Sequence, residues 1–341
     1  MDEFRTERLL WRSSVPDDLD DMHALFSDYE VVKWTSSWPF PPDRAFTASR
    51  FLAMDPDTGF AGPMLLDGRI IGSMGIVKGE MGFCIVRSYW GRGFASEMGA
   101  AVVARFFRDV EAERVNASVW VGNDASERVL EKLGFAQVGT SMQACAARGK
   151  DMESLDFALT RADWLAANPL AINTRRLLIR PYLDSDASAF HAIARHAQVA
   201  RMLISVPHPL SRKQAADWIA TRRFDGRLGF CAGVFLHDGT LVGNVGIGGD
   251  PVSTMYFVDP ARWGQGLATE ALRGFLAWTF AHFDLAAVEA GALADNPATA
   301  RVLEKLRFEF VRLGACQSMA RLEPAPELLY RLTRQRFEAT R

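Results

Sequence analysis

The stretch Trp263-Gly264-Gln265-Gly266-Leu267-Ala268-Thr269-Glu270 decides how this chain folds, and the chain carries it twice. The other copy is Trp90-Gly91-Arg92-Gly93-Phe94-Ala95-Ser96-Glu97. Each copy follows a short apolar run and opens a helical pattern of apolar residues. A glycine-rich turn at a helix start presents unpaired backbone N–H groups and the positive end of the helix dipole, which together seat a phosphate. Glycine also lets a ligand approach the main chain closely. Taken singly, such a turn is equally an ordinary entry into a helix. Duplication with matched surroundings turns it into a candidate site.

The duplication is measurable. Trp90 and Trp263, Asn123 and Asn296, and Phe135 and Phe308 are each 173 positions apart, as are Leu159-Thr160-Arg161 and Leu332-Thr333-Arg334. The entry segments Thr6-Glu7-Arg8-Leu9-Leu10-Trp11-Arg12 and Thr174-Arg175-Arg176-Leu177-Leu178-Ile179-Arg180 align at an offset of 168. The second copy therefore holds about five extra residues before its glycine loop. The expected domains are residues 1–166 and 172–341, joined by a linker from Ala166 to Ala171 that contains Asn168-Pro169. Such a period is far longer than the roughly 20–50 residues of solenoid repeats. A length of 341 residues suits two domains, and 49% hydrophobic with 23% charged residues is a globular composition.

Charge and composition exclude several classes. A net charge of -2 gives no signature of nucleic-acid binding. Met1-Asp2-Glu3-Phe4-Arg5 is acidic without an apolar core, so no signal peptide is expected. The apolar stretch from Met98 to Phe107 is interrupted by Arg105 and is too short to span a membrane. Cys84, Cys145, Cys231 and Cys316 are widely separated, and the six histidines lack ligand spacing. Reduced thiols, a cytoplasmic location and no metal site are the expectation.

Along the first half, the pattern predicts a strand over Leu9–Arg12 and a helix over Asp17–Phe26. Val31 to Pro42 follows, a stiff loop with Trp34, Trp38, Phe40 and three prolines. It fits two uses, as a wall for a substrate (through Trp34 and Trp38) or as a loop packed on its own core. A helix over Asp43–Met54 comes next, then strands over Phe60–Leu66 and Arg69–Val77 joined by an Asp67-Gly68 hairpin turn. The strand Gly79–Val86 feeds the glycine loop, and a helix over Ala95–Phe107 leaves it. Val115–Trp120 is a further strand, Asn123 caps a helix that Gly134 stops, and Leu155–Thr160 closes the half. The second half repeats the order, with strand Met255–Val258, helix Ala268–His282 and cap motif Asn296-Pro297-Ala298-Thr299. Mixed strands and helices imply α/β or α+β domains.

Each half resembles a GNAT-superfamily N-acetyltransferase, nearest to the RimJ/RimL type that acetylates protein N-termini. The residues that carry the resemblance are the two glycine loops, Asn123 with Ser126 ahead of Arg128-Val129-Leu130-Glu131-Lys132-Leu133-Gly134-Phe135, and Asn296 with Thr299 ahead of Arg301-Val302-Leu303-Glu304-Lys305-Leu306-Arg307-Phe308. The resemblance spans nearly the whole chain. It implies two tandem domains, each a mixed, mostly antiparallel sheet flanked by helices, and acetyl-CoA as the acetyl donor. By that resemblance the pyrophosphate sits on Gly91, Arg92, Gly93, Phe94, Ala95 and Ser96, and on Gly264, Gln265, Gly266, Leu267, Ala268 and Thr269. The pantetheine arm pairs with Phe83, Cys84 and Ile85, or with Tyr256, Phe257 and Val258, while Asn123 or Asn296 holds it from the other side. A strand amide stabilises the developing oxyanion, and Ser126 or Thr299 gives a proton to the leaving thiolate. Both hydroxyls equally suit hydrogen bonding at a helix start.

The chain also departs from the family. Leu130 and Leu303 stand where relatives carry a Tyr, and Ser118 and Gly291 where some carry a Glu. Arg307 replaces the helix-ending glycine. Glu80 is the candidate base of the first half, and the second half has Ser253 at that place with Asp250 nearby. Chemistry is therefore expected first of all in the first half. The acceptor is an amine, either a peptide or protein N-terminus or a small molecule such as an antibiotic, polyamine or amino acid. One half could instead be a binding module without catalysis. The linked halves are expected to mimic a dimer.

Overall fold

A computed structural model describes residues 3–50 and 59–339. The chain divides between Asn168 and Pro169 into two compact units. The strands of the first unit are β1 (Glu3–Arg5), β2 (Leu10–Arg12), β3 (Gly59–Leu66), β4 (Arg69–Val77), β5 (Glu80–Ile85), β6 (Arg114–Trp120), β7 (Ala136–Cys145) and β8 (Lys150–Thr160). Its helices are α1 (Leu19–Phe26), α2 (Tyr29–Val32), α3 (Arg44–Ser49), α4 (Phe94–Asp109), α5 (Asp124–Lys132) and α6 (Arg161–Ala167). The second unit has strands β9 (Ile172–Asn173), β10 (Leu177–Arg180), β11 (Phe230–Leu236), β12 (Leu241–Gly248), β13 (Ser253–Val258), β14 (Ala287–Leu293), β15 (Glu309–Cys316) and β16 (Ala325–Thr333). Its helices are α7 (Ala187–Ala194), α8 (Ala197–Ala200), α9 (Arg212–Ala220), α10 (Leu267–His282), α11 (Pro297–Lys305) and α12 (Arg334–Glu338).

Each unit is one eight-stranded sheet, ordered β1-β2-β3-β4-β5-β6-β8-β7 and β9-β10-β11-β12-β13-β14-β16-β15. Every neighbouring pair is antiparallel except β5/β6 and β13/β14. The strand before each glycine loop is thus joined to its next neighbour by a helical crossover, α4 or α10, which is what a parallel pair requires.

Alternating side chains give each sheet two covered faces. Met98, Val102 and Phe106 of α4 pack on Met81, Val115 and Leu159, while Met22 and Phe26 of α1 lie with Val31 and Val32 near the other face. In the second unit Leu272, Phe275 and Leu276 of α10 cover Val245, Val258 and Leu332. Phe190, Ile193 and Trp218 of α7 and α9 cover Cys231, Phe235 and Phe257.

The Asp67-Gly68 turn closes β3 on β4 with φ of 48° and 79°, the left-handed pair that an Asp-Gly hairpin favours. Residues 51–54 of the expected Asp43–Met54 helix lie outside the described residues, and α3 covers Arg44–Ser49. Strand β8 begins at Lys150, well before the expected Leu155, and its hairpin partner β7 was not anticipated. The cause is physical: seven of the ten β7 residues are exposed, so the strand shows little apolar alternation. It folds as an extended edge on the backbone bonds of β8.

Candidate functional site

The glycine loops take their form from backbone conformations that a β-carbon resists. Gly91 and Gly93 have φ of 72° and 81°, and Gly264 and Gly266 of 76° and 75°. Nothing lies within 4 Å of the place a β-carbon would take at Gly91 or Gly264, so these turns are open to an incoming group. The first hydrogen bond of α4 runs from Glu97 N–H to the Gly93 carbonyl at 3.0 Å, and that of α10 from Glu270 N–H to Gly266 at 3.2 Å. The amides of Phe94, Ala95 and Ser96, and of Leu267, Ala268 and Thr269, precede it and meet no helical acceptor. Loop and strand are also tied: Trp90 Nε1 donates to Ile85 O at 2.7 Å, and Trp263 Nε1 to Val258 O at 2.8 Å.

A clamp that the sequence pattern does not announce holds each loop. Arg8 donates from N and Nε to the Glu97 carboxylate at 2.9 and 2.6 Å, and from Nη1 to Arg92 O at 3.3 Å, while Thr6 Oγ1 donates to the same carboxylate. In the second unit Thr174 Oγ1, Arg176 N and Arg176 Nε reach Glu270 at 2.7, 2.8 and 2.7 Å, and Arg176 Nη1 reaches Gln265 O at 2.9 Å. Burial pushes the Glu97 and Glu270 carboxyls up, but the hydrogen bonds from Thr6 and Arg8, or Thr174 and Arg176, outweigh it and hold both below the usual value. The available signal was the Thr-x-Arg entry and the loop-ending Glu, each present in both copies. The clamp places a guanidinium about one contact from each loop, since Arg8 and Arg176 lie 3.6 and 3.7 Å from the β-carbon positions of Gly93 and Gly266.

Beside each loop the sheet opens. Strands β5 and β6 share one bridge, Glu80 with Asn116, and β13 and β14 share one, Ser253 with Glu289. A hydrogen bond from Asn116 N to Gly79 O at 2.8 Å closes the first pair, and one from Glu289 N to Val252 O at 2.9 Å the second. Beyond these points the facing edges of Phe83–Ile85 and Tyr256–Val258 bond to no strand on that side among the described residues, which leaves a wedge walled by main-chain donors and acceptors. The Cys84 thiol of this strand packs beside the cluster of Met22, Phe26 and Val32, and burial raises its pKa to about 12.

The cap residues lie at the wedge's far side. Asn123 Oδ1 accepts from Ser126 N at 3.3 Å, and Asn296 Oδ1 from Thr299 N at 3.3 Å. Their Nδ2 groups have no partner among the described residues. Tyr256 Oη donates to Thr299 O at 3.3 Å, a bond that Phe83 cannot make in the first unit. Leu130 and Leu303 are fully buried in the core, which accounts for an apolar residue at that helix position. Arg307 keeps the helix-ending turn by adopting φ of 68°, where Gly134 has 89°.

Glu80 is exposed at the closed end of the first wedge. Trp38 stacks on Phe26 at 3.5 Å between ring centroids and meets Phe46 edge-on, so it packs within its own helix pair. Trp34 carries the Arg148 guanidinium at 4.7 Å.

A cavity of about 1190 Å3 lies in the second unit and joins these features: Tyr256, Gly264, Gly266, Asn296 and Thr299 line it, together with Glu327. Among the described residues no group of His, Cys, Asp and Glu could hold a metal, and no helix is long and apolar enough to cross a membrane.

The acetyltransferase (GNAT) domain profile matches residues 8–136 and again residues 176–309. The N-acetyltransferase p20 of Bacillus licheniformis is 26% identical over 178 residues, which covers 48% of this chain and 99% of p20. The prophage-derived N-acetyltransferase YokL of Bacillus subtilis is 28% identical over 171 residues, 46% of this chain and 93% of its own. Among solved structures, Mycobacterium smegmatis RimJ in complex with CoA-disulfide is 22% identical, with a TM-score of 0.43 over 49% of this chain and 88% of its own. The chain belongs to the acetyltransferase (GNAT) family and is an acyltransferase built from two such domains in tandem.

Proposed function

We propose that each half seats acetyl-CoA and that the chain transfers the acetyl group to a primary amine, with the α-amine of a peptide N-terminus as the acceptor. The observation that carries this is the duplicated pairing of a half-open wedge with a row of unpaired helix-start amides. The residues present fit the donor. Unpaired amides at 94–96 and 267–269 suit a pyrophosphate, with Arg8 and Arg176 near enough to add charge. The open edges of β5 and β13 suit an extended arm carrying amides. The Asn123 and Asn296 Nδ2 groups are donors with no acceptor among the described residues. When bound, acetyl-CoA supplies a thioester whose carbonyl carbon a neutral amine can attack.

The remaining work falls to the chain. Ser126 and Thr299 are half-buried hydroxyls at the helix starts, and in this reading each holds a proton for the departing sulfur. Glu80 accepts the amine's proton in the first half. An α-amine, with a pKa of about 7.7–8.0, is roughly one-tenth neutral at pH 7, whereas a lysine near 10.4 is almost wholly charged. A site with modest bases therefore favours N-termini.

Calorimetry with acetyl-CoA tests the proposal on wild type, Gly93→Trp and Gly266→Trp. Two sites, each lost in one variant, support it. A single site would make the other half a scaffold, and no binding at all overturns it. Thiol release with an amine panel then ranks acceptors.

A further inference from the structure

The two sheets differ at one place beside the wedge. In the first unit Ser118 pairs with Asp156, and Ser154 with Trp120 and Ser141. Asp156 Oδ1 accepts from Ser118, Ser141 and Ser154 at 3.2, 3.0 and 3.3 Å, so its carboxylate is closed off by hydroxyls. In the second unit the same register positions hold Gly291 opposite Leu329, and Glu327 opposite Leu293 and Gly314. Oxygen Oε1 of Glu327 stands 1.8 Å from the place a β-carbon at Gly291 would take. A carboxylate from β16 thus fills the side-chain space of residue 291, which lies two positions past the single bridge, on the wall of the wedge. Glu327 has no hydrogen-bond or ion-pair partner among the described residues, and it lines the large cavity.

We propose that Glu327 is the general base of the second half, taking a proton from the acceptor's ammonium group. This deepens the acetyltransferase reading and rests on it. The balance is simple. The ammonium nitrogen loses one proton to Glu327 and then bonds to the acyl carbon. The carbon–sulfur bond breaks, and the nitrogen's second surplus proton goes to the departing sulfur. Glu327 returns its proton to solvent through the cavity.

The surroundings suit that task. Burial raises the Glu327 pKa, and Arg312 on β15 partly opposes the shift. The other titratable groups facing it are Cys316 on β15, whose thiol is raised first by burial and then by Glu327 itself, and Glu289 on the same face of β14. Asp295 beyond that strand is already paired with Arg201 and Arg321. A carboxylate shifted toward neutrality is a stronger base than an exposed one.

The test uses the full chain carrying Gly93→Trp, which isolates second-half turnover, with a short peptide bearing a free N-terminal α-amine. Glu327→Gln is expected to cut kcat/KM about 10²–10⁴-fold and to erase the acid limb of the pH profile, with acetyl-CoA affinity within twofold by calorimetry. Carboxyl-carbon NMR of the ligand-free chain should lose one resonance titrating above the ordinary Glu range. The double change Glu327→Ser with Gly291→Glu returns a carboxylate to the same space from the neighbouring strand, and it should recover part of the lost turnover. Unchanged turnover in Glu327→Gln with acetyl-CoA bound overturns the assignment to Glu327 and leaves the acetyltransferase reading standing. So does a second half that binds acetyl-CoA without turning over. Failure to bind acetyl-CoA removes the reading beneath both.

Discussion

The two halves carry the same glycine loop, the same clamp and the same cap, and part ways on the sheet face next to them. In the first half a carboxylate, Asp156, is quenched by three serines. In the second, a glycine at 291 makes room for the Glu327 carboxylate, which has no hydrogen-bond or ion-pair partner among the described residues. Donor-holding parts are duplicated closely because backbone geometry dictates them. The side chains proposed to handle protons differ between the two copies. On the proposed mechanism, the exposed Glu80 and the cavity-facing Glu327 would be two different solutions of one problem, with Ser253 and Ser154 at their places in the other copy.

The comparison breaks most sharply under substitution of the two carboxylates. In chains whose other loop is blocked by Gly→Trp, Glu327→Gln should cost second-half turnover about 10²–10⁴-fold, while Asp156→Asn should change first-half turnover less than about threefold. Thiol-release kinetics decide it, and a large Asp156 effect would erase the distinction. The pH dependence sharpens it further. Second-half kcat/KM should fall as pH drops through the raised Glu327 pKa, and Glu327→Gln should flatten that limb.

Stability should separate the glutamates in the opposite sense. The Glu97 and Glu270 pKa values are lowered in the fold, so their stabilisation is present above the unfolded value of about 4.3 and is lost as pH falls through the folded one. Replacing either by Gln should cost that half about 1.5–3 kcal/mol at pH 7, read from denaturant unfolding. The raised Glu327 pKa means its favourable contribution is complete below about pH 4.3 and is lost as pH rises through the folded value. Glu327→Gln should therefore leave stability at pH 7 unchanged or slightly higher. The smallest effect concerns helix ends: Arg307→Gly should stabilise the second unit by about 1 kcal/mol, because Arg307 holds φ of 68°. Gly134→Arg should cost a similar amount, and equal melting temperatures would show that Arg307 is not strained.

What could be read from the chain beforehand follows the same division. The glycine loops, the Asp67-Gly68 turn and the Asn123 and Asn296 caps announce themselves because their residue types fit special backbone states. Strand β7 did not, since its mostly exposed side chains lack a period. Neither did the clamp, whose partners Arg8 and Glu97 are 89 residues apart. Glu327 was invisible for a third reason. Its meaning depends on Gly291 across two strands, and the aligned residue of the other copy, Ser154, gives no hint of a carboxylate.

The clamp has a consequence for how the chain is made. Each links the entry hairpin of a unit to the helix after its glycine loop, 89 positions later in one copy and 94 in the other. Contacts of such separation form late, after the loop-closure entropy between them has been overcome. During synthesis the seat of the first unit can lock once α4 has left the ribosome, well before any of the second unit's seat exists. Donor binding would then act on nascent chains as a ligand that captures one completed half at a time. Refolding of the full chain with and without acetyl-CoA should accordingly give two ligand-dependent phases, one for each tandem copy.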